Sequence, residues 1–453
     1  MKFKKFIDEK WRQLTTTQII VLFFMMVILI GAMLLNLPIA SRDHESSGFF
    51  EALFIATSAT CVAGFSLQDI WVQWSPFGQT VILLMIEIGG LGFMSTVIFF
   101  ILLAKKRISM RQRMAMAQGL GIEVGGIVRI GRWVIKNSLI VQGIGAALLT
   151  IGFWPHYGFL RALYLGITTS VSAFCNCGLE FMGFSEPGIG YANHITEPLI
   201  MIPMILLIVY GGLGFIVLEQ IYDKRNFSRL NVYAKIVLLT TGILILAGTV
   251  AFLVIEWNNP DTFGPLNVPQ KFLAALFQSV NTRTAGFAGI DQDIMHEISK
   301  TLTCVLMLIG GAASSTSGGI KVGTFAVLIL YTWARLQGKR SITFLNRKIT
   351  NEQVLDAVTI AGLMAALSIF GGLFISVNSD IKIGPAVFSS ISAIATCGLS
   401  IANTAALHFP SQVLLIIFMF FGRVGVLSIS LSFMIADPAE ERIQRAETKI
   451  IIG

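Results

Sequence analysis

The feature that most constrains this chain is a run of 21 residues, Thr17–Leu37 (TQIIVLFFMMVILIGAMLLNL), that carries no charge. At about 1.5 Å per residue, a helix of that length crosses a hydrocarbon core of about 30 Å. Comparable apolar runs recur near 77–103, 137–154, 198–218, 236–255, 301–333, 357–377 and 411–434, some holding one charge. Only 13% of the 453 residues are charged, about half the usual fraction in soluble proteins. These runs predict an all-α integral membrane protein with eight transmembrane helices. The first run is too long for the apolar region of a signal peptide, and no small-residue cleavage site follows it, so it reads as a retained helix.

The formal net charge of +8 would suit a nucleic-acid binder, but its distribution points elsewhere. If eight helices alternate with both termini on one side, 25 of the 33 Lys and Arg fall on that side, within 1–16, 105–136, 224–235, 335–348 and the tail. Arg42, Arg161, Lys271, Arg283, Lys300 and Lys382 fall on the opposite side or at its mouth, and Lys321 and Arg423 fall within spans. This is the positive-inside asymmetry of a multi-pass protein of the plasma membrane with both termini cytosolic. No nucleic-acid partner is expected, and membrane lipid is.

Between the long runs lie four shorter apolar stretches: FFEALFIATSATCVAGFS (49–66), FLRALYLGITTSVSAFCNCGLEF (159–181), FLAALFQSVNTRTAGFAG (272–289) and PAVFSSISAIATCGLS (385–400). Their glycines Gly64, Gly178, Gly286 and Gly398 are 114, 108 and 112 residues apart, and each follows a serine (Ser58, Ser172, Ser279, Ser392) by six or seven positions. A second glycine cluster follows in each unit: IGGLGFM (88–94), YGGLGFI (210–216), IGGAASSTSGGIK (309–321) and FGRVGVL (421–427). Fixed-period self-similarity marks a repeat architecture. The chain divides into an N-terminal segment 1–16, repeats at 17–115, 116–231, 232–340 and 341–434, and a tail 435–453. The short stretches cannot span, and non-helical backbone at membrane depth survives only where protein buries it or where it lines a wet cavity. Each therefore reads as a re-entrant pore loop, four of them around one pseudo-fourfold pore.

The residues that end these loops are Val62-Ala63-Gly64, Asn176-Cys177-Gly178, Thr284-Ala285-Gly286 and Thr396-Cys397-Gly398. A short helix presents partial negative charge at its C-terminal end, and glycine permits backbone angles that aim carbonyls at an ion. A carbonyl ring of this kind is how potassium filters replace the hydration shell. No acidic ring lies within the loops, which argues against divalent selectivity. Four of the five cysteines fall here, and Cys61, Cys177 and Cys397 are expected beside the ion path, where a cationic thiol reagent would reach them.

The ordered set of SATCVAGFS, NTRTAGFAG, GGLGFM, SSTSGGIK and FGRVG resembles the membrane subunit of the Ktr/Trk/HKT potassium-uptake superfamily, closest to bacterial Ktr-type subunits, over nearly the whole chain. The resemblance implies that Gly64, Gly178, Gly286 and Gly398 are selectivity residues, and glycine rather than serine at Gly64 implies potassium. Cys61, Cys177 and Cys397 stand where many relatives have hydroxyl or small residues. It further implies a homodimer on a separate cytosolic Rossmann-type nucleotide-binding regulator. The transported ion is then K⁺, with Na⁺ the candidate coupling ion and no cofactor bound by this chain.

The run Gly310-Gly311-Ala312-Ala313-Ser314-Ser315-Thr316-Ser317-Gly318-Gly319 should break its helix, since glycine and serine both weaken helix interiors. A helix-packing seam of small residues is the alternative. The family resemblance assigns this run to an intramembrane gate. Arg423 has two readings: a buried ion pair with Glu87, or a pore-lining group that bonds the gate's carbonyls, as an arginine in this motif does in the family. A secondary transporter of another solute with alternating access is the competing function; such proteins commonly carry two inverted repeats rather than four alike. An enzyme is not expected, as no HExxH, nucleophile elbow or paired catalytic carboxylates occur.

Overall fold

The computed structural model describes residues 16–103, 127–184, 190–339, 342–345 and 347–425. The predicted tail 435–453, nearly all of segment 1–16, most of the basic stretch 105–136 and the end of the eighth run lie outside the described residues. Four long helices carry four of the eight apolar runs: α1 (Thr16–Leu35), α4 (Ile127–Tyr157), α8 (Val232–Glu256) and α12 (Asn351–Ser379). Capping chemistry sets the starts of α8 and α12. The Asn231 side chain accepts from Ala234 N, and Thr350 forms a reciprocal box with Gln353, each satisfying donors that a first turn leaves unpaired. Most of each helix faces outward with Leu, Ile, Val, Met and Phe, as Ile30, Met33, Leu246, Val254, Phe370 and Val377 do. An exterior of that kind suits acyl chains.

Each long helix is followed by a short one: α2 (Phe49–Cys61), α5 (Phe159–Cys175), α9 (Val268–Asn281) and α13 (Ile383–Ile394). The four most extensive helix pairs in the molecule are α1 with α2, α4 with α5, α8 with α9, and α12 with α13. After each short helix comes a third helical stretch: α3 (Pro76–Leu103), α6 (Pro198–Gly212) running on to α7 (Phe215–Lys224), α10 (Glu297–Leu308) running on to α11 (Val322–Leu336), and α14 (Phe409–Val424). This stretch docks on the short helix of the next unit: α3 on α5, α6 on α9, α10 on α13, and α14 back on α2. The packing closes on itself in chain order.

Eight spans were expected, with the one in the third unit broken, and the described helices are interrupted in the other units too. Among the described residues, four helices are long and apolar enough to cross a membrane alone, and α6 with α7 passes only as a pair bent by 98°. The breaks sit at the second glycine cluster of each unit. Gly92, Gly214 and Gly425 have φ of 75°, 86° and 98°, values outside the helical region that only glycine adopts readily. In the third unit the helix is interrupted from Ile309 to Lys321, so residues 310–319 form a loop rather than a packing seam.

Close approach elsewhere also depends on glycine. A Cβ on Gly89 would overlap the carbonyl of Thr60 in α2, whereas one on Gly143, on the outer face of α4, would meet nothing within 4 Å. Gly89→Ala should therefore lower the melting temperature of the purified protein. Gly143→Ala should leave it unchanged or raise it, by about 0.5–1 kcal/mol in stability. A fluorescence-monitored thermal melt of both variants checks the contrast.

Candidate functional site

The four short helices end alike. Val62, Asn176, Thr284 and Thr396 adopt left-handed φ of 56°, 56°, 67° and 51°, and Gly64, Gly178, Gly286 and Gly398 follow two residues later with φ of 80°, 72°, 78° and 99°. A β-branched residue in the left-handed region is a steric outlier, held here by the surrounding hydrogen bonds. The N–H groups of Ala63, Cys177 and Cys397 return to the carbonyls of Ser58, Ser172 and Ser392 at 2.8, 2.9 and 2.8 Å. The Ser392 hydroxyl also accepts from Gly398 N at 3.0 Å, and the Ser172 hydroxyl donates to Leu179 O at 2.9 Å.

The third turn is built differently. Ser279, the serine that precedes the third glycine in the sequence, donates instead to Ile245 O on α8. The anchor is Asn281: its carbonyl accepts from Ala285 N at 3.0 Å, and its side chain brackets Phe287, donating to the carbonyl at 2.7 Å and accepting from the N–H at 2.8 Å. Sequence reasoning missed this residue. The signal was there, because asparagine commonly bonds local backbone in turns.

The glycines converge in cyclic order. A Cβ on Gly64 would lie 2.5 Å from Cys177 O, and one on Gly398 would lie 2.8 Å from Ala63 O. One on Gly178 would overlap Ala285 O, and one on Gly286 would overlap Cys397 O. Each glycine thus faces the carbonyl just before the next glycine in the ring. The four of them floor an open vestibule of about 760 Å³, whose walls include Phe65, Leu179, Ala288 and Ser400. At its rim, Glu180 accepts from Ala288 N at 2.6 Å. Burial pushes its carboxyl up to about 8; that hydrogen bond opposes the rise and Asp69 adds to it. Among the described residues, the buried hydroxyls of Thr284 and Thr396 have no hydrogen-bond partner.

Beneath the ring lies the loop 309–321. Its ends meet: Gly310 N donates to Ile320 O at 3.0 Å, Ile320 N to Leu308 O at 2.9 Å and Val322 N to Gly311 O at 2.9 Å. Its body rests on the α6–α7 break through Ala312 N to Gly212 O at 2.9 Å and Phe215 N to Ser314 O at 2.9 Å. It also touches two of the turns. The Asn176 side chain meets the Ser317 hydroxyl at 2.5 Å, and with its amide oxygen on that hydroxyl its NH₂ reaches Ile208 O and Ala173 O at 3.1 and 3.0 Å. A Cβ on Gly318 would lie 2.6 Å from Ala395 O.

A profile of the TrkH family, described as a cation transport protein, matches residues 3–445. The chain belongs to this family. It is 34% identical over 448 residues to the potassium/sodium uptake protein NtpJ of Enterococcus hirae, covering 98% of each chain. It is 32% identical over 446 residues to the Ktr system potassium uptake protein B of Bacillus subtilis, again covering 98% of each. The crystal structure of the potassium transporter TrkH from Vibrio parahaemolyticus superimposes with a TM-score of 0.72 at 17% identity, over 92% of this chain and 84% of that one, which shows a common fold.

In this TrkH-family chain, Arg423 donates to the carbonyls of Thr316 and Gly89, and to Gly90 O at 3.2 Å. Glu87 is engaged elsewhere, accepting from Gln142 at 2.8 Å and from the Cys175 thiol at 3.5 Å. The ion-pair reading of Arg423 therefore fails: the guanidinium bonds backbone carbonyls of the loop and of α3. Arg283 also departs from expectation. Sequence position put it at the outer mouth, yet its side chain is buried and donates to Gly310 O at 3.0 Å. Lys321 donates to Ser317 O at 2.6 Å. All three cations reach carbonyls of one loop.

The thiols are also not where the sequence suggested. Cys61, Cys177 and Cys397 are fully buried, and the Cys397 sulfur faces Asn281 O and Thr282 O at 4.0 and 3.8 Å. The carbonyls of Cys177 and Cys397 occupy the ring while the sulfurs stay in the packing around it. An impermeant thiol reagent should therefore leave uptake by the native protein unchanged. After Ser400→Cys, which places a thiol on the vestibule wall, the same reagent should slow uptake several-fold. Ion-flux assays before and after treatment separate the two cases.

Proposed function

We propose that this chain is the ion-translocating subunit of a potassium-uptake system, with Val62–Gly64, Asn176–Gly178, Thr284–Gly286 and Thr396–Gly398 as a four-quadrant carbonyl filter. The observation that carries the reading is the closed ring of glycine turns on the floor of the vestibule. A cation that sheds water there needs oxygen ligands already held in place, and backbone carbonyls at helix C-terminal ends supply them without a fixed charge that would trap it. Both relatives named above are uptake proteins for potassium. The first is also named for sodium, so sodium is the coupling or competing ion to test beside it.

The loop 310–319 is the gate in this reading. It lies directly beneath the filter turns, and Arg423, Arg283 and Lys321 hold its carbonyls. The resemblance to Ktr-type subunits, and the naming of relatives as parts of a Ktr system, support a homodimer controlled by a separate cytosolic nucleotide-binding subunit. The charge asymmetry supports a plasma-membrane protein with both termini in the cytosol.

Growth rescue of a potassium-uptake-deficient bacterium on limiting potassium tests the function. The filter is tested by Gly64→Ser, which adds a side chain at φ of 80° against Cys177 O. Discrimination of potassium from sodium should fall about tenfold, or ~1.4 kcal/mol, with uptake retained; unchanged selectivity in a well-folded variant rejects the assignment.

The gate is tested in liposomes. Because the loop's ends already meet, removing residues 312–318 should leave the flanking helices in register and raise potassium flux per folded protein. Arg423→Gln should act in the same direction, more weakly. A folded deletion variant with unchanged or lower flux overturns the gating role.

A further inference from the structure

A cluster outside the ion path remains unexplained. His156 lies in the last turn of α4, His194 in the chain between the second filter turn and α6, and Glu197 at the residue that opens α6. His156 Nε2 and His194 Nδ1 each lie 2.9 Å from a different oxygen of the Glu197 carboxylate. The three ligand atoms all fall within 4.8 Å of one another. His194 is 5% exposed, while His156 at 41% leaves one side open to solvent. Ala192, two residues before His194, lines the vestibule.

We propose that His156, His194 and Glu197 form a binding site for a divalent transition metal, with zinc the best match. Two imidazoles and one carboxylate with an open fourth position is the donor set zinc takes where it keeps a water ligand. Tetrahedral bonds of about 2.0–2.1 Å place ligand atoms roughly 3.3 Å apart, so the two 2.9 Å contacts would lengthen slightly while ligand atoms up to 4.8 Å apart would draw together. The outer contact fits as well. Tyr157 OH lies 2.7 Å from His194 Nε2. The Glu197 carboxylate accepts from Nδ1–H when no metal is bound. With metal on Nδ1, the proton sits on Nε2, which then donates to the tyrosine oxygen. A hydroxyl serves both states because it donates and accepts, and such partners orient metal-binding imidazoles. The metal would tie α4, the vestibule segment and α6 together.

The test uses the full chain, purified without a polyhistidine tag and stripped with chelator. Zinc titrated by calorimetry should bind at one site per chain and raise the melting temperature. Cobalt should give the intense visible absorption of four-coordinate geometry, and excess magnesium or calcium should not displace either metal. Glu197→Gln, which keeps the side-chain shape and removes the charge, should abolish the zinc-dependent melting shift, as should His156→Ala at its solvent-open position. Tyr157→Phe should weaken binding by about tenfold or more. Gly64→Ser should bind zinc like the native chain, which separates this site from the filter. Zinc that fails to bind, or that binds equally to His156→Ala, overturns the proposal and leaves the trio a hydrogen-bonded strap.

Discussion

A carbonyl withdrawn from both water and the helix ladder must find a donor or a cation, and this requirement shapes the centre of the molecule. At the end of each short helix the chain turns left-handed, at Val62, Asn176, Thr284 and Thr396, so that the next carbonyl leaves the ladder and joins a ring. Such conformations are strained by an order of 1–3 kcal/mol each and persist only where the surroundings over-determine them. Here those surroundings are the returning N–H bonds to Ser58, Ser172, Ser392 and Asn281, and behind them the long helices that clasp each short one. Free carbonyls thus sit at one point because everything peripheral is arranged to hold them there.

The same requirement explains the cations. Breaking a helix between Leu308 and Val322 exposes carbonyls in an apolar interior, where each unpaired one costs several kcal/mol. Arg283, Lys321 and Arg423 answer that demand, donating to Gly310, Ser317 and Thr316. Their own desolvation is offset by bonds to groups that would otherwise be orphaned. No carboxylate is needed, and Glu87 is left to Gln142 and Cys175.

Much of this architecture is legible in the chain, because the repeat writes itself in glycine. Hydropathy and the spacing of Gly64, Gly178, Gly286 and Gly398 locate the short helices and the turns. The same hydropathy is blind to backbone angle, so the breaks at Gly92, Gly214 and Gly425 passed as continuous spans. The serines of the repeat coincide with the turn anchors except in the third unit, where Asn281 holds the turn through its side chain and Ser279 faces α8. Arg283 was misplaced because topology assigns a side by position along the chain, whereas a long side chain crosses the layer between two elements. The cysteines were misread for a related reason. Sequence names the residue at the ring without saying whether its carbonyl or its thiol points inward, and here it is the carbonyl.

The cyclic docking of the units has a consequence for how the protein is made. Because α14 packs on α2, the circle stays open until the last quarter of the chain has been synthesised and inserted. Domains generally take shape in the order of synthesis, and the first three units alone supply an incomplete ring of carbonyls. A partly made chain therefore holds only an arc of the ring of carbonyls. The circle closes only when the fourth unit docks on the first, through α14 on α2.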